Sequence, residues 1–419
     1  YIGDEWQVSD KINLTLGIRA DIPIFSEDPV ANPAVFDAYG VKTNQTPSGN
    51  IHWSPRFGFN IDMTEEWGGQ IRGGSGIFTG RVPMVWMSNQ YGNTGMTQAE
   101  FSGYGSWEFL TDPNNQHEVT GFYDPTINLA DESFMFPQVW RSNIAIDKEL
   151  PFGFTGTLEF IYTKNVNEIK YQNLNLKEYA KNPKDGRPIY GVTYSDGYVS
   201  TRFLNRDFYH VIYLTNASQG YSYSLSLQLQ KELKGGGLIN MSYTNGTAKD
   251  TNSGNSSQAI SNWGYRVHTG DPNNATMETS DWEIKHRIAF AIVKKFRWIK
   301  NSPTVFSLFY EGRSGRPFSY IYNNDYNGDK YYNDSIYVPI DENDIVLLDN
   351  SWAQLDKYIS DDPNLDKYRG QIAPRNVGRD PWFHKVDFRI AQEVAIPGLD
   401  GHSIEISFSI ENLMNLFNK

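Results

Sequence analysis

The residues most able to do chemistry lie in a twelve-residue stretch near the last third of the chain. Asn323, Asp325 and Asn327 stand at positions 1, 3 and 5, Gly328 at 6 and Asp334 at 12, with Asp329 as a further carboxylate. This is the spacing of an EF-hand loop, with Asn in place of Asp at the start and Asp in place of Glu at the end. Ca²⁺ takes oxygen ligands on a sharp turn, and glycine supplies the turn. Two readings stay open: a Ca²⁺ site, or an Asn/Asp/Gly-rich surface turn. A second group is aromatic and amide-bearing: Trp86, Asn89, Gln90, Tyr91, Trp107, Trp263, Tyr265 and Arg266. Stacking faces and amides together suit a mouth that grips sugars or peptides. The alternative is that the same rings pack one loop on another.

Other chemistries find no support. The seven histidines show no His-x-His, His-x₃-His or His-Glu-x-x-His spacing, so no zinc site is read. There is no Gly-x-Ser-x-Gly elbow, and no cysteine to act as nucleophile, thiolate ligand or disulfide. Residues 73–83 are glycine-rich, but no Gly-Lys-Ser/Thr and no helix signal follow, so a phosphate loop is not expected. The expected role is a strand whose small residues allow close approach, with Arg81 near the external rim of a lumen; the alternative is ligand contact, with Arg81 among the candidate ligand-binding residues. No enzyme is expected.

These groups need elements to hold them, and those elements read as long strands. In residues 221–230, aromatic or Leu alternates with Ser or Gln at every position. A strand has a side-chain period of two, so one face is apolar and the other polar. Ile12, Leu14, Leu16 and Ile18 repeat the pattern, as do Phe57, Phe59, Ile61 and Met63, and Ile404, Ile406, Phe408 and Ile410. The longest unbroken apolar run is only the six residues 288–293. A spanning helix needs about 20, so none is expected. Strands of nine or more residues fit a membrane barrel, whose spans need about 9–11. Sandwich strands are shorter, at about 5–6 residues.

Connections alternate between short turns and long polar segments at 20–50, 79–137, 171–207, 248–280 and 314–382. That is the rule of short periplasmic turns and long external loops. The segment 208–215 would break the alternation as a spanning strand. It is read as the outer part of a hairpin within the 171–220 loop, leaving about twelve barrel strands, the first incomplete. No helix of substance is expected. Trp6, Trp67, Trp140, Trp282 and Trp298 fall near strand ends, where interface girdles belong. The fold class is therefore all-β, a transmembrane antiparallel β-barrel. With 37 Lys+Arg against 49 Asp+Glu, the net charge of −12 argues against nucleic acid as a partner.

Several segments together resemble a known family. Residues 73–83, followed by 86–90 and 93–95, are similar to the TonB-dependent outer-membrane receptors of the Bacteroidota, nearest the OmpA-related, Oar-like subgroup. Asp4-Glu5-Trp6 with residues 14–19, Ser261-Asn262-Trp263, residues 313–318, Asn333-Asp334 with 337–339, and residues 411–417 match as well. The resemblance spans essentially the whole chain. It implies a barrel of roughly 22 strands around a plug, of which residues 1–419 are the C-terminal portion. It places the plug and about nine strands before Tyr1, and a last strand after Lys419.

The resemblance further implies uptake of a peptide, glycan or chelate, with TonB, ExbB and ExbD as partners through the N-terminal part. A surface lipoprotein is a further partner of that class, and outer-membrane lipid surrounds the barrel. Two other readings remain: a barrel scaffold for adhesion, gliding or secretion, and a soluble glycan-binding β protein.

Overall fold

The computed structural model describes residues 1–99, 110–115, 123–194, 199–299, 302–347, 351–396, 398–399 and 401–416. Twelve long strands follow one another as neighbours in a single antiparallel sheet. They are β1 (Ile2–Ser9), β2 (Ile12–Asp21), β3 (His52–Asp62), β4 (Gly69–Thr79), β5 (Gln138–Leu150) and β6 (Phe154–Asn173). The rest are β7 (Tyr221–Glu232), β8 (Gly237–Asp250), β9 (His286–Phe296), β10 (Thr304–Arg313), β11 (Phe383–Ala395) and β12 (Ser403–Ile410). Among the described residues β1 and β12 are the two edges, and they do not pair with each other.

Register keeps the alternation in phase from strand to strand. Leu227 stands opposite Leu158 on β6 and Tyr243 on β8, while Ser226 stands opposite Glu159 and Thr244. One face of the sheet therefore collects Leu16, Phe57, Phe160, Leu225, Ile406 and Phe408, each more than 40% exposed. Facing lipid, such side chains are satisfied; facing water, each would forfeit about 1.5–3 kcal/mol of available burial. The opposite face carries ion pairs: Arg72–Asp147 at 2.8 Å, Arg287–Glu311 at 2.8 Å and Lys385–Asp387 at 2.8 Å. A sheet apolar outside and polar inside is the wall of a membrane barrel.

The buried apolar cores lie away from this wall, in the long connections. One joins Val82, Trp86, Phe134, Tyr171, Leu214 and Trp263. A second joins Val35, Ile127, Leu129, Phe208 and Val211, and a third Val338, Ile359, Leu365 and Ala373. The loops thus form a packed cap on one end of the sheet. The strand Val211–Ala217 belongs to that cap. It pairs antiparallel with β6 from Glu168 to Asn173, and parallel with Ile127–Ala130. β6 pairs with β7 only up to Lys164. Its twenty residues thus serve both the wall and the cap. The reading of 208–215 as part of a loop hairpin agrees with this placement.

Helices are where expectation and structure part. Met84–Gly92 and Trp352–Asp361 run nine and ten residues, and Pro33–Tyr39 seven. The shortest is a fully signalled helix: Asn32 Oδ1 accepts from the Ala34 amide at 3.1 Å, Pro33 opens it, and Gly40 closes it at φ 70°. Trp352, Leu355 and Ile359 form an apolar stripe on the last helix, with Ile359 buried and Pro363 beyond its end. None of the helices among the described residues is long and apolar enough to cross a membrane.

Candidate functional site

The cap takes most of the aromatic and amide residues singled out in the sequence. Trp86 is buried, its Nε1 donating to the Ser256 carbonyl at 2.8 Å and its ring edge-on to Tyr171 at 6.5 Å. Asn89 Nδ2 donates to the Ser257 carbonyl at 2.7 Å, and Gln90 Nε2 reaches the Trp86 carbonyl at 3.4 Å. Tyr91 donates its hydroxyl to the Glu27 carbonyl at 2.6 Å. Its pKa is raised by desolvation and by Asp28 and Glu27. Trp263 is fully enclosed, with Nε1 on Asn273 Oδ1 at 3.0 Å and the ring against Tyr331 at 5.6 Å. These contacts are loop-to-loop packing, the second of the two readings left open for them. Arg81 is exposed, on the link from β4 to the helix Met84–Gly92. Trp107 lies outside the described residues.

Tyr265 and Arg266 differ from that group. Tyr265 is 74% exposed, edge-on to Tyr331 at 5.4 Å. Both residues line a polar cavity of about 380 Å³ with Asn252, Asn255, Asp281, Arg375 and Asn376. Two long connections build it: the one between β8 and β9 supplies the first five, and the one between β10 and β11 brings Arg375 and Asn376. Arg375 is buried and its Nη2 donates to both the carbonyl and the carboxylate of Asp250, at the end of β8. Asn376 Nδ2 donates to the Thr279 carbonyl at 2.9 Å and to Asp281. Arg266 has its pKa pushed down to about 10, first by desolvation and then by the neighbouring Arg375 charge.

The side-chain oxygens of 323–334 accept hydrogen bonds from the loop's own backbone. Asp325 Oδ1 accepts the amides of Gly328 at 2.7 Å and Asp329 at 3.0 Å, and its Oδ2 accepts that of Lys330 at 2.9 Å. Asn327 Oδ1 takes the Asp329 amide at 2.9 Å, and Asp329 Oδ1 the Tyr331 amide at 2.9 Å. Asp334 Oδ2 accepts from Tyr326 and Asn327 at 3.1 and 3.2 Å, while Asn323 is exposed. The oxygens turn onto the loop's own backbone instead of converging on a centre. No cluster of three His, Asp or Glu able to hold a metal occurs among the described residues. The candidate Ca²⁺ residues are thus held in a knot of Asx turns.

That knot anchors the cap. Arg187, in the loop between β6 and β7, reaches Asp334 at 3.5 Å, the Ser335 carbonyl at 2.8 Å and Asp185 at 2.8 Å, and its guanidinium lies 4.7 Å from the Tyr326 ring centroid. His268 Nε2, from the loop between β8 and β9, lies 3.4 Å from Asp329 Oδ2. Burial raises the Asp334 pKa to about 6, Asp329 adding to the rise and His268 and Arg187 opposing it. Neither Arg187 nor Arg375 carried any sequence signal for its docking role, since Arg187 meets Asp334 and Arg375 meets Asp250 across more than a hundred residues.

The remaining histidines do other work. His52 Nε2 accepts the Phe136 amide at 2.7 Å, tying β3 to the cap. His286 and His384 lie on the apolar face, accepting or donating with Tyr243 and Tyr310 hydroxyls at 2.9 Å each.

Comparison with known proteins adds a family and a set of folds. The family described as "Outer membrane beta barrel domain" matches residues 1–419. No curated protein matches. Among solved structures, the outer membrane transporter YddB from Escherichia coli is similar at a TM-score of 0.50 and 11% identity. That match covers 96% of this chain and 39% of YddB. The siderophore receptor PirA from Acinetobacter baumannii is similar at a TM-score of 0.45 and 10% identity, over 98% of this chain and 40% of that one. A mutant ferric enterobactin receptor PfeA from Pseudomonas aeruginosa is similar at 0.46 and 9%, over 98% and 39%. The chain spans about two fifths of the length of these solved chains.

Proposed function

The chain belongs to the outer membrane β-barrel domain family, and on that premise we propose that it is the C-terminal part of a TonB-dependent receptor that takes a ligand across the outer membrane. The observation that carries this reading is the pairing of a polar-faced wall with a packed cap holding a polar cavity. The wall's inner ion pairs, such as Arg72–Asp147, suit the lining of a water-filled path. A pore alone needs no such cap; a receptor needs one to select its ligand before passage. Transport is non-enzymatic in this proposal, and the ligand is a solute too large for porins. TonB, ExbB and ExbD would act through the N-terminal part of the whole protein, and the motifs at 73–83 and 411–417 support an Oar-like placement among the Bacteroidota.

The test compares spent medium from cells carrying and lacking the full-length gene, each with and without a working TonB, by mass spectrometry. A solute depleted only when both are present supports the proposal. Depletion indifferent to TonB, or none at all, overturns it and favours a barrel that serves as a scaffold.

A further inference from the structure

The cavity between the β8–β9 and β10–β11 connections has an imbalance of hydrogen-bonding groups. Its amides are committed. Asn252 Nδ2 donates to the Asn262 carbonyl at 3.0 Å, and Asn262 Nδ2 to the Ser256 carbonyl at 2.8 Å. Asn255 and Asn376 both donate to the Asp281 carboxylate, one to each oxygen. The other carboxylate at hand, Asp250, accepts from Arg375 and from Ser253 Oγ. The acidic groups facing the cavity therefore each have donors already.

The guanidinium donors are not matched in this way. Arg375 Nε is buried without a hydrogen-bond partner, although the side chain is only 3% exposed. A buried donor left unpaired costs roughly 1–3 kcal/mol, so such atoms mark a missing acceptor. Arg266 forms no ion pair among the described residues and makes one side-chain hydrogen bond, Nη2 to the Pro272 carbonyl at 2.8 Å. Desolvation and the Arg375 charge act against its cation, while Glu278, Asp250 and Asp271 favour it without pairing to it directly. Two guanidiniums thus share one half-enclosed space, and the spare valence there is donor valence. Beside them Tyr265 presents an exposed ring.

We propose that this cavity binds an oxyanion group, carboxylate or phosphate, held by Arg266 and Arg375, with Tyr265 against the remainder of the ligand. Arginine forks match such groups in a bidentate manner. An anion would give Arg266 the direct ion-pair partner it lacks and place an acceptor beside the Arg375 guanidinium. The proposal rests on the reading of the cap as a ligand mouth, and it narrows the ligand to one bearing an anionic group.

Isothermal titration of the full-length receptor in detergent, with sodium phosphate and with sodium citrate against chloride of equal ionic strength, tests it. Saturable binding of either salt is expected, and which one binds identifies the oxyanion. Arg266→Gln should weaken that binding at least tenfold, and Arg266→Lys less than Gln does. Arg266 is preferred to Arg375, whose loss would strand Asp250. Heat-modifiable migration on a gel checks that each variant keeps a folded barrel. Absence of saturable binding by both salts, or unchanged binding in folded Arg266→Gln, overturns the proposal. The medium-depletion experiment is separate: TonB-dependent uptake without anion binding removes this inference alone, and anion binding without uptake removes the transport reading alone.

Discussion

Asp334 Oδ1 and Arg187 Nη1 face each other at 3.5 Å inside the cap, although 147 residues separate them in sequence. Both side chains are closed to solvent, and Arg187 also serves Asp185 and the Ser335 carbonyl. A buried charge whose partner is removed costs about 3–5 kcal/mol. Arg187→Met should therefore loosen the cap by about that much while leaving the sheet intact, since the ion pairs and hydrogen bonds of Arg187 go to the loop residues Asp185, Asp334 and Ser335. Limited proteolysis should cut the variant within 171–207 or 314–347 far faster than the parent, with heat-modifiable migration unchanged. Equal cleavage of both proteins would refute the anchoring role.

Two titrations in the cap oppose each other. Burial raises Asp334 to about 6 from an ordinary carboxylate value near 3.8. The folded cap then holds a proton that the unfolded chain releases. This contribution is fully present below the unfolded value and is lost as pH rises through about 6. His210 is driven the other way, down to about 4 from 6.5, chiefly by desolvation, with Asp329 opposing and Lys330 assisting. Its contribution is present above 6.5 and is lost as pH falls through about 4. In the parent the two offset one another between these values. Asp334→Asn should remove the largest carboxylate effect, leaving the raised Asp325 with the same sign, so the histidine effect should dominate and the cap should weaken on going from pH 7 to pH 4.5. His210→Gln should leave only the carboxylate effect and strengthen over the same range. Proteolysis rates at the two pH values read both signs, and a shared sign would contradict the assignment.

The two faces of β7 differ by a single residue step. Leu227 is 49% exposed on the apolar side, while Ser226 Oγ meets Thr244 Oγ1 at 2.9 Å on the polar side. An arginine at a lipid-facing midplane position costs about 2–4 kcal/mol. Leu227→Arg should lower folding free energy in lipid vesicles by about that amount, and Ser226→Arg by much less. Spin labels at Leu225 and Leu227 should respond to a lipid-soluble quencher, and those at Ser224 and Ser226 to a water-soluble one. The reverse pattern would invert the wall.

What was legible in the sequence follows from range. Alternation in 221–230 is a property of neighbours, so the faces of β7 could be read directly, and matching parity along the chain allowed twelve strands to be counted. The demotion of 208–215 used the same parity and agrees with Val211–Ala217 lying in the cap. The helix Trp352–Asp361 was missed because its acidic surroundings outweighed the spacing of Trp352, Leu355 and Ile359. In 323–334 the oxygen spacing was real, but donors to those oxygens came from the local backbone, which spacing does not report. Arg375 meets Asp250 across 125 residues, so its role depended on loop docking and could be found only in three dimensions.

The turn between β7 and β8 has three successive glycines at positive φ: Gly235 at 83°, Gly236 at 99° and Gly237 at 130°. They are not equivalent. A Cβ on Gly237 would stand 2.2 Å from the Val293 carbonyl oxygen, which is backbone and cannot move aside. A Cβ on Gly235 would meet only the mobile Lys294 Nζ, at 4.0 Å. Gly235→Ala should cost about 1–2 kcal/mol for the left-handed backbone alone. Gly237→Ala should cost clearly more, by adding a clash that shifts β9. Urea unfolding of the barrel in detergent micelles measures both, and indistinguishable midpoints would show that the β9 contact is relieved.

On the apolar face an aromatic ladder runs across four strands, β8 to β11, near their cap ends. Tyr243 stacks on His286 at 6.2 Å, His286 on Trp382 at 6.1 Å, Trp382 on His384 at 6.1 Å and His384 on Tyr310 at 6.1 Å, with interplanar angles of 14° to 18°. Rings with an apolar body and a polar tip settle at the membrane–water boundary, where the tip can reach water and the body lipid. Each histidine here is bonded through Nδ1 to a tyrosine hydroxyl, so the polar atoms are paired along the ladder. This places Trp382 at the boundary and not in the hydrocarbon. With the other tryptophans replaced by Phe, its fluorescence in vesicles should be quenched more by lipids brominated near the headgroup than by lipids brominated deep in the chain. Stronger quenching from the deep bromines would move the boundary outward, and with it the span of β9 to β11 that the membrane covers.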